Sequence, residues 1–218
     1  MFGIININKP KGKTSHDIVS FIRRTLQERR VGHTGTLDPD AEGVLPILVG
    51  KATKLSDWIM SDEKTYVALV QLGVVTDTYD ASGTVVREDS VSVTFEEIQQ
   101  VAAGFIGEIE QVPPMYSAIK IEGQKLYALA RKGIEVERPA RRVSVASIRC
   151  FDYDSCAHTF RMEVHCSKGT YIRSLCYDIG EKLGCGAHMA GLVRTRTGSF
   201  TIENAHTPDE IEMAVRNN

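Results

Sequence analysis

The stretch Phe160-Arg161-Met162-Glu163-Val164-His165-Cys166 changes between apolar and polar at every step. Side chains of a strand point alternately to its two faces, so this period of two predicts a strand with one buried and one wetted face, which an antiparallel sheet supplies. Four further segments read as strands: the opening Phe2–Asn8, Tyr66–Gly73, a short piece around Thr84–Arg87, and Val143–Cys150. Helices interrupt them rarely. Thr14-x-x-Asp17 is a capping box ahead of Ile18, Val19, Ile22 and Leu26, and Thr94-x-x-Glu97 repeats it ahead of Ile98, Val101 and Ala102. A third helix is predicted over Tyr171–Leu183, with Gly184 at the position that favours a left-handed residue. Thr207-Pro208-Asp209-Glu210 starts a fourth. Strands in consecutive groups with few strand–helix–strand alternations predict an α+β fold built on a largely antiparallel sheet.

With 218 residues, 42% hydrophobic and 25% charged, the chain can build one sizeable core, and no repeat, low-complexity tract or linker divides it. A single domain over 1–218 is expected. The net charge of −2 hides clustering: residues 9–30 and 113–142 together hold fourteen of the 26 Lys and Arg. Such clusters make a local positive face on an acidic protein, although a solvated helix face is the plainer account of either one alone. The second cluster begins Pro113-Pro114 and fits no core pattern, so residues 112–142 read as a basic lobe inserted in the sheet domain. The five cysteines, Cys150, Cys156, Cys166, Cys176 and Cys185, contain no C-x-x-C pair and read as reduced thiols, neither metal ligands nor disulfides. The first residues lack a signal-like pattern and no 18-residue apolar run occurs, so a cytoplasmic protein away from membranes is expected.

Two local patterns bear on chemistry. Gly12-Lys13-Thr14 looks like the end of a phosphate-binding loop, but the glycine required five residues before Gly12 is Ile7, leaving a turn before the first helix. Gly32-His33-Thr34-Gly35-Thr36-Leu37-Asp38-Pro39 sets one carboxylate between a glycine-bracketed turn and a proline. An aspartate there often only ties down its own loop. In the company of His33, Thr34 and Thr36, Asp38 could equally be a nucleophile or general base. A metal role is weakest, since Asp40 and Glu42 lack the spacing of a hard-cation loop.

The runs Lys9–Ser15, Gly32–Pro39, Lys64-Thr65-Tyr66, Thr76-Asp77-Thr78-Tyr79-Asp80, Pro114–Ala118 and Cys166–Arg173 resemble, in order, the motifs of the TruB family of tRNA pseudouridine synthases. The resemblance implies a pseudouridine synthase fold and isomerisation of the T-loop uridine at tRNA position 55, with no cofactor, no metal and the tRNA T-arm as partner of a monomer. It implies Asp38 as nucleophile, Arg173 as the cation paired with it, and Tyr66 as a catalytic residue that also stacks on the extruded uracil. Tyr171 and Leu192 would form further pocket walls, and His33 would help displace the nucleotide. Lys9, together with Lys120, Lys125, Arg131, Lys132, Arg141 and Arg142 of the basic lobe, would meet the RNA backbone. The chain departs from the pattern in two ways. Asp40-Ala41-Glu42 adds acids beside the nucleophile loop, working against RNA affinity there, and a C-terminal RNA-binding domain of PUA type found in longer members is expected to be absent.

Two rival readings differ in what happens to the RNA. An N-glycosidase using Asp38 with Asp77 or Asp80 would release free uracil, and a non-catalytic RNA-folding chaperone would not need Asp38. Neutralising Lys125, Arg131 and Lys132 together is expected to weaken tRNA binding and flatten its salt dependence by roughly one unit of log–log slope per lost phosphate contact; binding titrations from low to high salt measure it.

Overall fold

A computed structural model describes residues 2–59, 63–117, 119–121, 123–130, 132–134 and 136–217. In chain order the elements are β1 (Gly3–Lys9), α1 (Ser15–Thr25), β2 (Val31–His33), β3 (Glu42–Val49), α2 (Ser56–Ile59), β4 (Glu63–Leu72), β5 (Val74–Thr76), β6 (Val85–Glu88), α3 (Phe95–Ala103) and β7 (Gly107–Gln111). There follow β8 (Lys120–Ile121), β9 (Gln124–Lys125), α4 (Leu126–Ala130), β10 (Arg141–Asp154), β11 (Thr159–Ser167), α5 (Ile172–Leu183), β12 (Ala187–Thr197), β13 (Phe200–Thr201) and α6 (Pro208–Arg216). Mixed sheet and flanking helices make the fold α+β. The chain divides into two compact units, Met1–Val67 with Leu192–Asn218 and Ala68–Gly191, the boundaries falling inside β4 and β12.

In the first unit, β3 is the organising strand. Its VLPILV run is buried throughout, because β1 and β2 pair with it antiparallel and β12 pairs with it in parallel through Val193↔Glu42 and Arg194↔Gly43. Val44, Leu45, Ile47 and Leu48 join Ile18, Val19 and Ile22 of α1 in the core. The capping box of α1 is present in full: Thr14 Oγ accepts from the Asp17 amide, and the Asp17 carboxylate accepts from the Thr14 amide. Thr207 and Glu210 repeat this arrangement at α6.

In the second unit, β10 pairs antiparallel with both β11 and β7. Phe160, Met162, Val164 and Cys166 all lie on the buried face of β11, as their alternation predicts. Helices α3 and α5 contact one another, α3 through a second full capping box and α5 ending at a left-handed Gly184. Arg141 and Arg142, at the end of the basic segment, belong to β10, paired with Gln111 and Glu110 of β7.

Gly43 sits at φ +103°, and a Cβ there would lie 2.2 Å from the Arg194 carbonyl oxygen. That neighbour is backbone of the parallel β3–β12 ladder and cannot swing aside. Gly43→Ala is therefore expected to cost about 3 kcal/mol or more through combined strain and lost pairing, read from the urea unfolding midpoint at constant m-value.

Candidate active site

The loop carrying Asp38 is held from several sides within the first unit. Ser15, at the start of α1, is the closest tie: its hydroxyl donates to the Leu37 carbonyl at 3.1 Å and accepts from the Leu37 amide at 2.9 Å. The Gly12 amide donates to the Pro39 carbonyl at 2.9 Å. Lys9, with none of its surface exposed, donates from Nζ to the carbonyls of Pro10, Lys13 and Pro39 at 2.9, 2.6 and 3.1 Å. Burial pushes the Lys9 ammonium down from its ordinary value, opposed by the nearby charges of Glu42, Asp40 and Asp38. The Ala41 amide closes the turn onto the Asp38 carbonyl at 3.1 Å.

Strand β4 brings a second set of groups. Its alternation puts Lys64, Tyr66, Ala68, Val70 and Leu72 on the buried face. Arg194 of β12, a guanidinium only 1% exposed, has Tyr66 as an electrostatic neighbour. Arg194 also donates from Nε to the Val44 carbonyl at 2.8 Å and from Nη2 to the Gly35 carbonyl at 3.2 Å. Gly35, at φ +80°, allows this approach: a Cβ there would stand 3.5 Å from Arg194 Nη1 and 3.7 Å from Lys64 Cε. His33 is half-buried; burial, Arg194 and His16 together lower its pKa, so its imidazole is neutral near pH 7. Among the described residues neither His33 Nδ1 nor the buried Thr34 hydroxyl has a hydrogen-bond partner. Leu192, also in this unit, is half-buried in β12.

The remaining expected residues lie in the second unit. Arg173, on the first turn of α5, donates to the Asp80 carboxylate at 3.1 Å and to the Tyr116 carbonyl at 3.0 Å, with both charged side chains almost dry. Asp80 is itself fixed by the turn that carries it, its other oxygen accepting from Thr78 Oγ at 2.7 Å and from the amide and hydroxyl of Ser82 at 3.0 and 2.6 Å. Gly83 makes that turn feasible, since a Cβ would come within 2.3 Å of Thr78 Oγ. Tyr171 caps α5, its amide and carbonyl both bonded to the Gln111 side chain at 2.8 and 3.0 Å.

Asp38, His33, Tyr66 and Leu192 thus share one unit and Arg173 and Tyr171 the other. Lys9 is a correction: its amine is enclosed and spent on three carbonyls, so it braces the loop and has no surface with which to meet RNA. Lys132, Arg141 and Arg142 are exposed, the last 3.9 Å from Glu110. Arg131 and the side chains of Lys120 and Lys125 lie outside the described residues. Sequence reasoning passed over Ser15 as a loop tie and Arg194 altogether. Arg194 was detectable as a charge in phase with apolar positions of a strand; the partner of Ser15, 22 residues away, left no local sign.

Residues 23–172 match the family model described as TruB family pseudouridylate synthase (N terminal domain), and residues 173–218 match the model described as tRNA pseudouridylate synthase B C-terminal domain. The chain is 54% identical over 206 residues to tRNA pseudouridine synthase B of Clostridium perfringens, covering 94% of this chain and 70% of that protein. It is 49% identical over 223 residues to the protein of that name from Bacillus cytotoxicus, covering 100% and 73%. Among solved structures, a Cbf5–Nop10–Gar1 complex contains a chain similar at TM-score 0.75 and 36% identity, covering 94% of this chain and 52% of its own. The chain thus spans about half the length of that structural relative. These matches show an enzyme of the pseudouridylate synthase class. Within it, the chain belongs to the TruB family.

The Arg173–Asp80 pair generates a stability test. Asp80→Ala removes a carboxylate and its turn bonds from beside a nearly dry guanidinium and is expected to destabilise the fold by about 1–3 kcal/mol, with Asp80→Asn less damaging because the amide oxygen still accepts from the turn. Urea titration of the two variants measures the difference.

Proposed function

We propose that this chain is a tRNA pseudouridine synthase that isomerises the T-loop uridine at position 55, with Asp38 as its nucleophile. The reaction breaks the bond from uracil N1 to the ribose anomeric carbon, turns the base and rejoins it through C5, so it needs no redox partner and no cofactor. It needs a carboxylate at a fixed point. The observation that carries the reading is the bracing of the Asp38 loop by Ser15, Gly12, Lys9 and Arg194, which is more than a loop-capping aspartate requires. Fixing the attacking group before substrate arrives removes an entropic cost from the reaction itself.

The substrate uridine lies in a folded loop and has to be extruded, at a cost on the order of a few kcal/mol. Stacking on Tyr66, worth roughly 1–3 kcal/mol, offsets part of this, with Tyr171 and Leu192 as further walls. His33, neutral near pH 7 and with an unpartnered ring nitrogen among the described residues, supports its assignment as a group that hydrogen-bonds the displaced nucleotide. Arg173 is assigned as the counter-charge of the nucleophile, and its bonds to Asp80 and the Tyr116 carbonyl would hold that guanidinium in one orientation. The exposed Lys132, Arg141 and Arg142 are assigned to the phosphates of the T-arm. Monomeric action in the cytoplasm belongs to the same reading; among the described residues no helix is long and apolar enough to cross a membrane.

The glycosidase alternative loses its second carboxylate, because Asp80 is engaged by Arg173, Thr78 and Ser82, and Asp77 by the Thr84 amide at 2.8 Å. Incubation with an unmodified tRNA transcript is expected to yield pseudouridine at one site with RNA mass unchanged. Asp38→Asn should abolish turnover while leaving tRNA affinity within a few fold, since an amide of the same shape cannot attack. Site-specific detection of pseudouridine, beside a binding titration, checks both. Released uracil, or substantial activity in the variant, would overturn the assignment.

A further inference from the structure

Gln111, the last residue of β7, is 2% exposed, and both polar atoms of its side chain meet one residue. Its Oε1 accepts from the Tyr171 amide at 2.8 Å, and its Nε2 donates to the Tyr171 carbonyl at 3.0 Å, across 60 residues of chain. A side-chain amide carries the donor and acceptor of a peptide group, so Gln111 holds the Tyr171 backbone as a residue of a neighbouring antiparallel strand would. Tyr171 is the N-cap of α5, in extended conformation, and its own side chain makes no capping bond. Two further ties join the stretch after Gln111 to the first turn of α5. Ser174 Oγ donates to the Val112 carbonyl at 3.3 Å, and Arg173 donates to the Tyr116 carbonyl at 3.0 Å. Gln111 is itself fixed from the other side, because its backbone pairs with Arg141 of β10.

We infer that Gln111 is a positioning residue for the isomerisation, acting through Tyr171 and Arg173 by setting the place and rotation at which α5 begins. The inference rests on the reading of those two residues as pocket wall and counter-charge of the nucleophile. Arg173 lies two residues beyond the peptide that Gln111 holds, so a shift of the N-cap carries ring and guanidinium with it. Misplacing a reacting or positioning group by about 1 Å can cost on the order of a hundredfold in rate. A buried glutamine that served only to satisfy its own polar atoms could do so against any peptide groups in reach. Here both bonds go to the single residue from which the site's tyrosine and arginine are hung.

The rival account gives Gln111 a role in stability alone, which would leave the rate per folded molecule unchanged. Two variants separate the accounts. Gln111→Met keeps the length of the side chain and removes both bonds. Gln111→Glu keeps the acceptor but donates to the Tyr171 carbonyl only when protonated; ionised, it sets a carboxylate oxygen against that carbonyl. Burial and the facing carbonyl favour its neutral form, while the charge of Arg173 opposes them. Single-turnover conversion of an unmodified tRNA transcript is followed at saturating enzyme from about pH 5 to about pH 8.5, with the folded fraction at each pH taken from circular dichroism. Gln111→Met is expected to slow conversion about tenfold or more, with tRNA affinity within a few fold. The rate of Gln111→Glu relative to wild type should rise as pH falls, since protonation restores the second bond. In an Arg173→Lys background, Gln111→Met should cost less than about threefold further, because the two changes damage one arrangement. A wild-type rate in Gln111→Met, a Gln111→Glu ratio that stays flat across the pH range, or equal losses in both backgrounds would overturn the inference. Should Gln111→Met fail to fold, Gln111→Glu carries the test. If Arg173→Lys alone keeps the wild-type rate, the reading of Arg173 falls and this inference with it. If Arg173→Lys is slow but the Gln111 variants are not, only the inference falls.

Discussion

Burying a guanidinium costs several kcal/mol even after relaxation, and the first unit accepts that cost at Arg194. The return is geometric. From one position on β12 the planar fork reaches the Val44 carbonyl near the start of β3 and the Gly35 carbonyl of the Asp38 loop. A backbone contact sets its height, because Arg194 pairs in parallel with Gly43, where only a residue without Cβ fits against the strand. A lysine in its place would offer a point charge on a flexible stem and could not hold both carbonyls with one planar fork. The position of the loop, and hence of the proposed nucleophile, follows from this register.

Where pattern and periodicity govern, sequence and structure agree closely. The capping boxes at Thr14, Thr94 and Thr207 each form in full, because both halves of such a box lie within four residues. The alternation in β11 is equally legible, since one buried face is all that it requires. Agreement weakens where pairing is non-local. Arg141 and Arg142 look like the end of a basic insertion, yet they open β10 because Gln111 and Glu110, thirty residues earlier, offer them a strand edge. Charge composition carries no information about such an edge.

The site divides along the same line. Asp38 and Tyr66 stand out because they lie in runs that resemble the motifs of the family, whereas the residues that brace the Asp38 loop do not. Lys9 has the composition of a surface cation and the environment of a core residue: its amine finds three carbonyls at the junction of two loops, a satisfaction that exists only once the fold is complete. Ser15 doubles as the first residue of α1 and a two-way bond to Leu37. The supporting shell is invisible to local reading because its donors and acceptors are backbone groups, which every sequence possesses.

Lys9, Lys64 and Arg194 are three buried cations around a loop of five residues: Lys9 bonds the Pro39 carbonyl, Arg194 the Gly35 carbonyl, and Lys64 Cε lies 3.7 Å from where a side chain at Gly35 would begin. A carboxylate that must attack from a poorly hydrated pocket has a difficulty of its own, because desolvation favours its neutral form. Acids on the surface cannot undo the field of cations inside, since solvent screens the former far more than the latter. The chain can therefore carry a net charge of −2, with Asp40 and Glu42 beside its loop, and still keep the interior beneath that loop positive. Lys9 and Arg194 exert that field through the same side chains that fix the backbone of the loop, so the position of the loop and the charge beneath it are set together.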